Sequence, residues 1–242
     1  MAQASQVTDA TRRFEAAFRR IEGYLSTIVG NTTYVTFSRL IEDAGDRNPI
    51  VRRSRRMLRK FADLRNLLAH ENRDLAIPSV TAVQQIEGLA ELLQNPPQLI
   101  SLFSMEVITC DPTDSVGKAA RIMQDHEFSQ IPIVDDRGLV DLLTTETIVR
   151  WLATRLESDG ILECEPIETV LPYRESDSIY RVLPRTATVF DALRLFDKTL
   201  HSGKTLDAIL LTHSGDNKER LLGIVTPFDI PRMLHETRLN AN

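Results

Sequence analysis

The C-terminal part of the chain contains one pattern of residues twice, and this duplication limits the fold more than any other feature. Ser115-Val116 corresponds to Thr188-Val189, and the later segment "LLTTETI" corresponds to "GIVTPFDI". Each copy reads as helix, strand, turn, strand and helix, with "DDRG" and "THSGDNKE" as the turns. Between the strands we match Ile131–Val134 with Ala208–Leu211. A unit of about 50–60 residues that occurs twice predicts two modules related by an approximate twofold axis.

The residues before this duplication have a different pattern, which is helical throughout. Phe14, Phe18, Ile21 and Ile28 recur at helical spacing, and three further amphipathic helices are expected before "NPPQ" breaks the chain. Helices of this length that are joined by short connections predict a small antiparallel bundle.

The composition is that of an ordinary globular protein, with 42% hydrophobic and 26% charged residues among 242. No apolar run reaches the roughly 20 residues that span a bilayer, and the N-terminus lacks the apolar stretch of a signal peptide. We therefore expect a cytoplasmic protein without a membrane partner. Cys110 and Cys164 lie too far apart in the sequence for a metal-binding pair, and no metal is expected.

Two segments of the duplicated region carry a family resemblance. The strand "FSQIPIVDD" contains a proline, and "GIVTPFDI" has the order glycine, apolar residue, threonine and aspartate. With the repeated order of elements, residues of about 104–236 resemble a tandem pair of CBS domains. The resemblance implies two βαββα units that pack through their sheets and leave two clefts. It also implies adenosine derivatives as ligands, among them AMP, ADP, ATP, S-adenosylmethionine and cyclic dinucleotides.

The expected fold class is therefore α+β, with an N-terminal all-α four-helix bundle followed by two βαββα CBS repeats that form a pseudo-twofold pair. The expected domains are residues 1–98 for the bundle and 99–242 for the pair. Within the pair, the first repeat is expected at about 104–156 and the second at about 165–236.

Thr226-Pro-Phe-Asp229 has two interpretations, which the sequence leaves open. Threonine, proline and an acid at this spacing form a helix-start signal, in which the side chains cap each other. The same arrangement could bind a nucleotide: Asp229 would accept the ribose hydroxyls, and Thr226 with nearby N–H groups would bind phosphate. The base would lie in a flat apolar slot formed by Ala208, Ile209 and the segment just before Thr186.

The first copy departs from this pattern. Asp141 replaces the glycine, and Thr147 stands where the second copy has its acid. A threonine cannot offer two strong acceptors to a diol, and the carboxylate of Asp141 is expected to repel phosphate. Thr144, which corresponds to Thr226, is included among the expected ligand-binding residues. We expect one working site and one degenerate site.

The segment "RNLLAH" near the end of the third helix resembles the signature of HEPN domains. Its Arg65, Asn66 and His70 match the arginine, polar residue and histidine of that motif. The resemblance covers residues of about 8–95. It implies a metal-independent endoribonuclease in which a homodimer combines two such sites, with His70 moving protons and Arg65 binding the phosphate. Asn66 lies one turn before His70 and could fix the imidazole.

Simpler interpretations of this half remain open. His70 could cap the end of its helix, and Arg65 could pair with a neighbouring acid. Many HEPN-like bundles are non-catalytic, and the bundle could also be a helical domain unrelated to HEPN. Residues 1–98 carry 14 Lys and Arg against 11 Asp and Glu, whereas the remainder carries 15 against 23. The basic run "RRSRRMLRK" is therefore either a solvated helix face or a surface that attracts RNA.

Taken together, the sequence predicts a homodimeric regulatory protein. Its CBS pair would sense AMP, ADP or ATP and control a HEPN-like effector, which is either an endoribonuclease that acts on RNA or a non-catalytic docking and dimerisation bundle.

Overall fold

The computed structural model describes residues 2–30, 35–70, 77–155, 164–176 and 178–237. Their contacts define two compact units. The first consists of the described residues of 1–97, 188–194 and 231–242, and the second of those of 98–187 and 195–230.

Four helices make up most of the first unit, as their apolar spacing predicts. They are α1 (Ala2–Val29), α2 (Phe37–Gly45), α3 (Pro49–His70) and α4 (Val80–Gln94). α1 packs on α4, and α2 packs on α3. The buried side of α1 consists of Phe14, Ala17, Phe18, Ile21 and Leu25. The all-helical bundle that the sequence predicts is therefore confirmed.

Two ion pairs join α1 to α4 at the surface of this bundle. Arg13 lies 2.7 Å from Glu87, and Arg20 lies 3.0 Å from Glu91. The hydrogen bond from Arg13 lowers the pKa of Glu87 below its usual value. Because these pairs are exposed to solvent, each contributes little to the stability of the fold.

The elements of the two repeats follow in chain order after the short helix α5 (Leu99–Phe103). The first repeat contains α6 (Val116–His126), β1 (Gln130–Asp135), β2 (Gly138–Thr144) and α7 (Thr145–Ala153). The second contains β3 (Ser178–Pro184), α8 (Val189–His201), β4 (Thr205–Thr212), β5 (Gly223–Val225) and α9 (Ile230–Glu236).

The strands have the same order in both repeats, although the first repeat is reduced. In the second repeat β3 runs parallel to β4, which pairs antiparallel with β5. In the first repeat β1 pairs antiparallel with β2, and the parallel partner is represented by a single bridge between Cys110 and Ile133. These elements confirm the α+β class with two CBS-like repeats after an N-terminal bundle.

The strand register corrects one detail of the sequence comparison. Ile131 pairs with Leu143 in the first repeat, and Ile209 pairs with Val225 in the second. Since Leu143 and Val225 both precede the threonine that starts the next helix, Ile131 corresponds to Ile209 and not to Ala208. The match between the two strands was therefore wrong by one residue, because Pro132 marks a position in β1 but β4 has no proline that could fix the alignment.

A buried cluster in the first repeat positions the start of α7. Trp151 of α7 is 2% exposed and packs among apolar side chains from α6, both strands and the segment after α7. The other buried members are Cys110, Val116, Ala119, Met123, Ile131, Ile133, Leu143, Ile167 and Val170. This packing fixes the N-terminus of α7 relative to the strands that precede it.

Candidate functional site

Thr226 and Asp229 form the cap that the sequence predicts, at the start of a 3-10 turn (Pro227–Asp229) that continues into α9. The backbone N–H of Thr226 donates to Asp229 Oδ2 at 2.8 Å, and Thr226 Oγ1 donates to the same oxygen at 3.1 Å. Asp229 Oδ1 receives no hydrogen bond from any residue that the structure describes. Because Asp229 is partly exposed, the carboxylate can cap the turn and still offer one oxygen to a ligand.

The corresponding residues of the first repeat cap their helix differently. Thr144 Oγ1 accepts the N–H of Thr147 at 3.1 Å, and the two hydroxyl groups lie 2.9 Å apart. The side chain of Thr147 is 1% exposed. The first repeat therefore has a satisfied helix start but no exposed carboxylate at this position.

The charge of Asp141 is paired, contrary to the expectation that it would repel a phosphate. Its Oδ1 accepts a hydrogen bond from Arg174 Nη1 and another from the N–H of Leu142. Tyr180 lies nearby, and its pKa is raised, mainly by burial and also by Asp141. Asp141 therefore belongs to a local ion pair and does not present an isolated negative charge.

A cavity of about 220 Å³ lies where the two repeats approach each other within the second unit. Its lining includes corresponding residues of both repeats, in agreement with an approximate twofold axis. By the corrected register, Ser129 corresponds to Asp207, and Glu146 corresponds to Phe228. The full lining is Ser129, Gln130, Thr144, Thr145, Glu146, Glu175, Thr205, Asp207, Pro227 and Phe228.

This cavity borders the predicted ligand-binding turn directly. Pro227 and Phe228, which line it, are the two residues between Thr226 and Asp229. Thr144, predicted as a ligand contact, lines the cavity as well. Across it, Gln130 Nε2 donates to the carbonyl of Asp207 at 3.2 Å, which links the two repeats.

The other residues expected at the base slot differ in exposure. Thr186 is exposed in the turn before α8. Ala208 and Ile209 are both fully buried on β4, the central strand of its sheet. Their side chains belong to the core in this structure, and the apolar slot at this strand remains a prediction.

Sequence reasoning missed most of the residues that line the cavity. Ser129, Glu146 and Phe228 lie within the segments "FSQIPIVDD", "LLTTETI" and "GIVTPFDI", but at positions to which no ligand contact was assigned, and Asp207 lies just before the matched strand segment. The signal that could have found them is the duplication itself, because residues that correspond across an approximate twofold meet at the axis. That signal requires the correct register, which the sequence comparison lacked.

In the first unit, the structure describes two of the three residues of the predicted ribonuclease motif in full. Arg65 and Asn66 are exposed on α3, and Arg65 Nη1 donates to Asn66 Oδ1 at 3.4 Å. The Arg65 guanidinium lies 5.9 Å from the ring centroid of Phe18. The side chain of His70, the last residue of α3, lies outside the described residues.

Three arginines of the basic run on α3 contact α2 or the turn that follows it. Arg55 lies 2.8 Å from Asp46, and Arg59 lies 2.5 Å from Glu42. Arg52 donates to the carbonyl of Gly45, the last residue of α2, at 3.1 Å. Arginines at a helix C-terminus interact favourably with the unpaired carbonyls and the helix dipole. These three residues therefore have structural partners.

Two kinds of feature are absent from the residues that the structure describes. Among them, no three histidine, cysteine, aspartate or glutamate side chains cluster as metal ligands would. Their helices include none with the length and hydropathy of a membrane span.

Residues 101–154 and 177–236 each match the CBS domain family. Together with the duplicated order of elements and the twofold-related cavity, these two matches identify the C-terminal part of the chain as a tandem CBS domain pair.

Several solved structures are similar to this chain. The CBS domain pair of protein MJ0100, in complex with 5′-methylthioadenosine and S-adenosyl-L-methionine, is 22% identical over 59% of this chain and 99% of that one, with a TM-score of 0.42. CBSX2 in complex with AMP is 17% identical over 59% and 99%, with a TM-score of 0.42. A CBS domain-containing protein of unknown function from Bacillus anthracis is 21% identical over 57% and 93%, also with a TM-score of 0.42.

One curated protein is similar over a short segment. A homoserine O-acetyltransferase from Methanohalophilus mahii is 43% identical over 49 residues, which is 20% of this chain. The chain spans about a tenth of the length of that protein.

Proposed function

We propose that this protein is a regulatory sensor whose CBS pair binds an adenine nucleotide at the turn of the second repeat. The observation that supports the proposal is that the two oxygens of the Asp229 carboxylate have different roles. Oδ2 holds the helix start, whereas Oδ1 has no partner among the described residues and lies on a partly exposed side chain. A carboxylate held in this way is pre-organised to accept hydrogen bonds from a ribose diol.

The neighbouring groups have the chemistry that the rest of an adenosine ligand needs. Thr226 and the first N–H groups of the helical turn would face the substituent on the 5′ carbon. Thr186 and the part of β4 at Ala208 and Ile209, whose side chains are buried in this structure, are proposed for the base. The nucleotides that the CBS resemblance implies are AMP, ADP and ATP, with one working site per chain.

Calorimetric titration with AMP tests this proposal. Asp229→Asn keeps an acceptor for the Thr226 cap but removes the charge, and Asp229→Ala removes both. Loss of a charge-assisted hydrogen bond of about 1.5–3 kcal/mol should weaken binding by about 10- to 150-fold in either variant.

Asp191→Asn is the matched control, because Asp191 accepts hydrogen bonds from Thr188 in the same capping arrangement but does not line the cavity. Unchanged affinity in both Asp229 variants, or an equal loss in the control, would refute the proposed ribose contact.

For the first unit we propose an effector role, with a HEPN-like metal-independent endoribonuclease as the catalytic form. Arg65 is exposed and able to approach a phosphate, and Arg56 and Lys60 are exposed on the same helix. The alternative, a non-catalytic bundle that docks a partner or a second copy, is supported by the 45% exposure of Leu67 beside Arg65. Asn66 also contacts Arg65, although the nuclease hypothesis assigns it to His70.

RNA cleavage in EDTA distinguishes the two forms. The wild type is compared with Arg65→Ala, His70→Ala and the control Arg12→Ala, which removes an exposed arginine of α1. Cleavage that is lost in the first two variants and kept in the control supports the nuclease. Equal cleavage in all four proteins, or none in the wild type, favours the docking role, and sedimentation velocity then tests the homodimer.

A further inference from the structure

A second cavity, of about 350 Å³, lies within the first unit, and none of its lining residues lines the 220 Å³ cavity. This volume is in the range of sites that bind small molecules. The lining comes from α1, from the start of α3, and from residues 188–194 at the start of α8, which belong to the first unit by their contacts. Four of the ten lining residues are apolar, namely Ile28, Pro49, Pro96 and Phe190.

The charges in this lining do not balance, because it contains two arginines and one aspartate, a net charge of +1. Asp191 is fully used within the protein: Oδ2 accepts from Thr188, and Oδ1 lies 3.2 Å from Arg194 Nη2. Arg47 pairs with no acid among the residues that the structure describes. Its Nη1 donates to the carbonyls of the last two residues of α1 at 2.9 and 2.8 Å, which leaves Nε and Nη2 as available donors.

Tyr24 adds a neutral donor to the same lining. Asn48, which is 7% exposed, donates from Nδ2 to the Tyr24 hydroxyl oxygen at 3.4 Å. Because the hydroxyl is the acceptor in this contact, its own O–H has no acceptor in the described part of the chain. Burial raises the pKa of Tyr24, which outweighs the opposite effect of the hydrogen bond from Asn48, and Asp191 raises it further. The hydroxyl is therefore protonated at neutral pH and able to donate.

Two helices begin at this cavity, but their own caps already occupy the first N–H groups. At the start of α3, Asn48 Oδ1 accepts the N–H groups of Ile50 and Val51. At the start of α8, Thr188 Oγ1 accepts the N–H of Asp191 at 3.3 Å. The helix dipoles add partial positive charge at both starts. Specific contacts to a ligand must therefore come from side chains, and those with available donors are two guanidinium groups and a phenol.

We propose that this cavity is a second ligand site, which binds a small phosphate monoester with an apolar substituent. Arg47 would bind the phosphate through Nε and Nη2, and Tyr24 would donate its O–H. Arg194 would divide its N–H groups between Asp191 and the phosphate. The apolar substituent would contact Phe190 and the two prolines of the lining. The site does not depend on the proposed nucleotide contact at Asp229, and a ligand here would stabilise the first unit because it joins α1, α3 and α8.

Calorimetric titration of the full chain with phenyl phosphate tests the proposal, with inorganic phosphate and phenol as its two partial ligands. We expect one phenyl phosphate per chain, bound at least about tenfold more tightly than either partial ligand, because it combines charge-assisted hydrogen bonds with burial of an apolar ring. The affinity should fall as the salt concentration rises, since salt screens the attraction between exposed charges.

Variants assign the binding to named groups. Arg47→Gln and Arg194→Gln each remove one positive charge, and Tyr24→Phe removes only a hydroxyl. Each should weaken phenyl phosphate at least about tenfold, the effect of losing one hydrogen bond to a charged group, and should leave phenol unchanged. Arg12→Gln is the matched control for Arg194→Gln, because Arg12 is also exposed and pairs with an aspartate three residues away but does not line the cavity.

Two results would refute the second site without affecting the nucleotide proposal. The first is a wild type that does not bind phenyl phosphate. The second is wild-type affinity in Arg194→Gln and Tyr24→Phe while circular dichroism shows a native fold, which holds even if Arg47→Gln disturbs the end of α1. Asp229→Ala separates the two sites, because phenyl phosphate has no ribose: loss of its binding in this variant would place it at the other site and refute this inference.

Discussion

Gly138 offers the sharpest test of how the two repeats hold each other. It begins β2 with a φ of +118°, and its Cα faces the loop of the other repeat. A Cβ at this position would lie 2.5 Å from Lys218 Cα and closer still to the carbonyl oxygen of Asn217. The next residue, Leu139, donates its N–H to that same oxygen at 2.8 Å. Because the opposing atoms are backbone, a Gly138→Ala variant must displace the loop.

The expected loss of stability can be estimated from these contacts. A residue other than glycine at such a φ costs about 1–3 kcal/mol. Loss of the Leu139–Asn217 hydrogen bond adds about 0.5–1.5 kcal/mol. We therefore expect Gly138→Ala to lower the free energy of unfolding by about 1.5–4.5 kcal/mol.

Gly203 provides the matched control. Its φ is +70°, and a Cβ there would meet no atom within 4 Å. Gly203→Ala thus carries only the cost of a left-handed alanine, about 1–2 kcal/mol. The change in the entropy of the unfolded chain is the same for both substitutions and cancels in the comparison.

Urea unfolding followed by tryptophan fluorescence measures both variants. Trp151 is the only tryptophan and is buried in the core of the first repeat, so its emission reports the unfolding of that repeat. Gly138→Ala should shift the midpoint clearly more than Gly203→Ala does, with similar slopes. Equal shifts would refute the claim that this turn is pressed against the backbone of the other repeat.

Two further predictions concern local features. Asn48 is 7% exposed, and its Oδ1 accepts hydrogen bonds from the N–H groups of Ile50 and Val51 at 2.9 and 3.2 Å. Asn48→Ala should therefore lower the free energy of unfolding in urea by about 1–2 kcal/mol. Asn48→Asp should retain the cap and most of the stability. Cys110 is buried, and burial is the main cause of its raised pKa, whereas Cys164 is exposed. At pH 8, iodoacetamide should therefore modify Cys164 in the native protein and should modify Cys110 only after unfolding. Equal native rates for the two thiols would contradict this.

The sequence predicts the features of this protein that depend on residue pattern. The helical bundle follows from apolar spacing, and the cap of the second repeat follows from a threonine and an acid three residues apart. Both are local, so a linear pattern contains them. The alignment of β1 with β4 was wrong by one residue because β4 contains no counterpart of Pro132 that could fix it.

The cavity could not be predicted, for a different reason. Its residues come from strand starts and helix starts of both repeats, and most of them are polar residues that are ordinary in their own segments. Only the packing of the two repeats brings Glu146 and Asp207 to one space. The pairing of Asp141 with Arg174 was missed for the same reason, because the two residues lie 33 positions apart.

The asymmetry between the repeats explains why one ligand per chain is expected although the backbone provides two related positions. In both repeats a threonine starts the helix, and the residue three positions later completes the cap. Asp229 completes the cap with Oδ2 and leaves Oδ1 available to a ligand. Thr147 is buried, and its hydroxyl is hydrogen-bonded to that of Thr144. Since either side chain satisfies the helix start, folding does not require the acid in the first repeat. The free acceptor of Asp229, Oδ1, is therefore not needed for the cap itself. A titration that yields two equal sites would show that ribose binding does not depend on this oxygen.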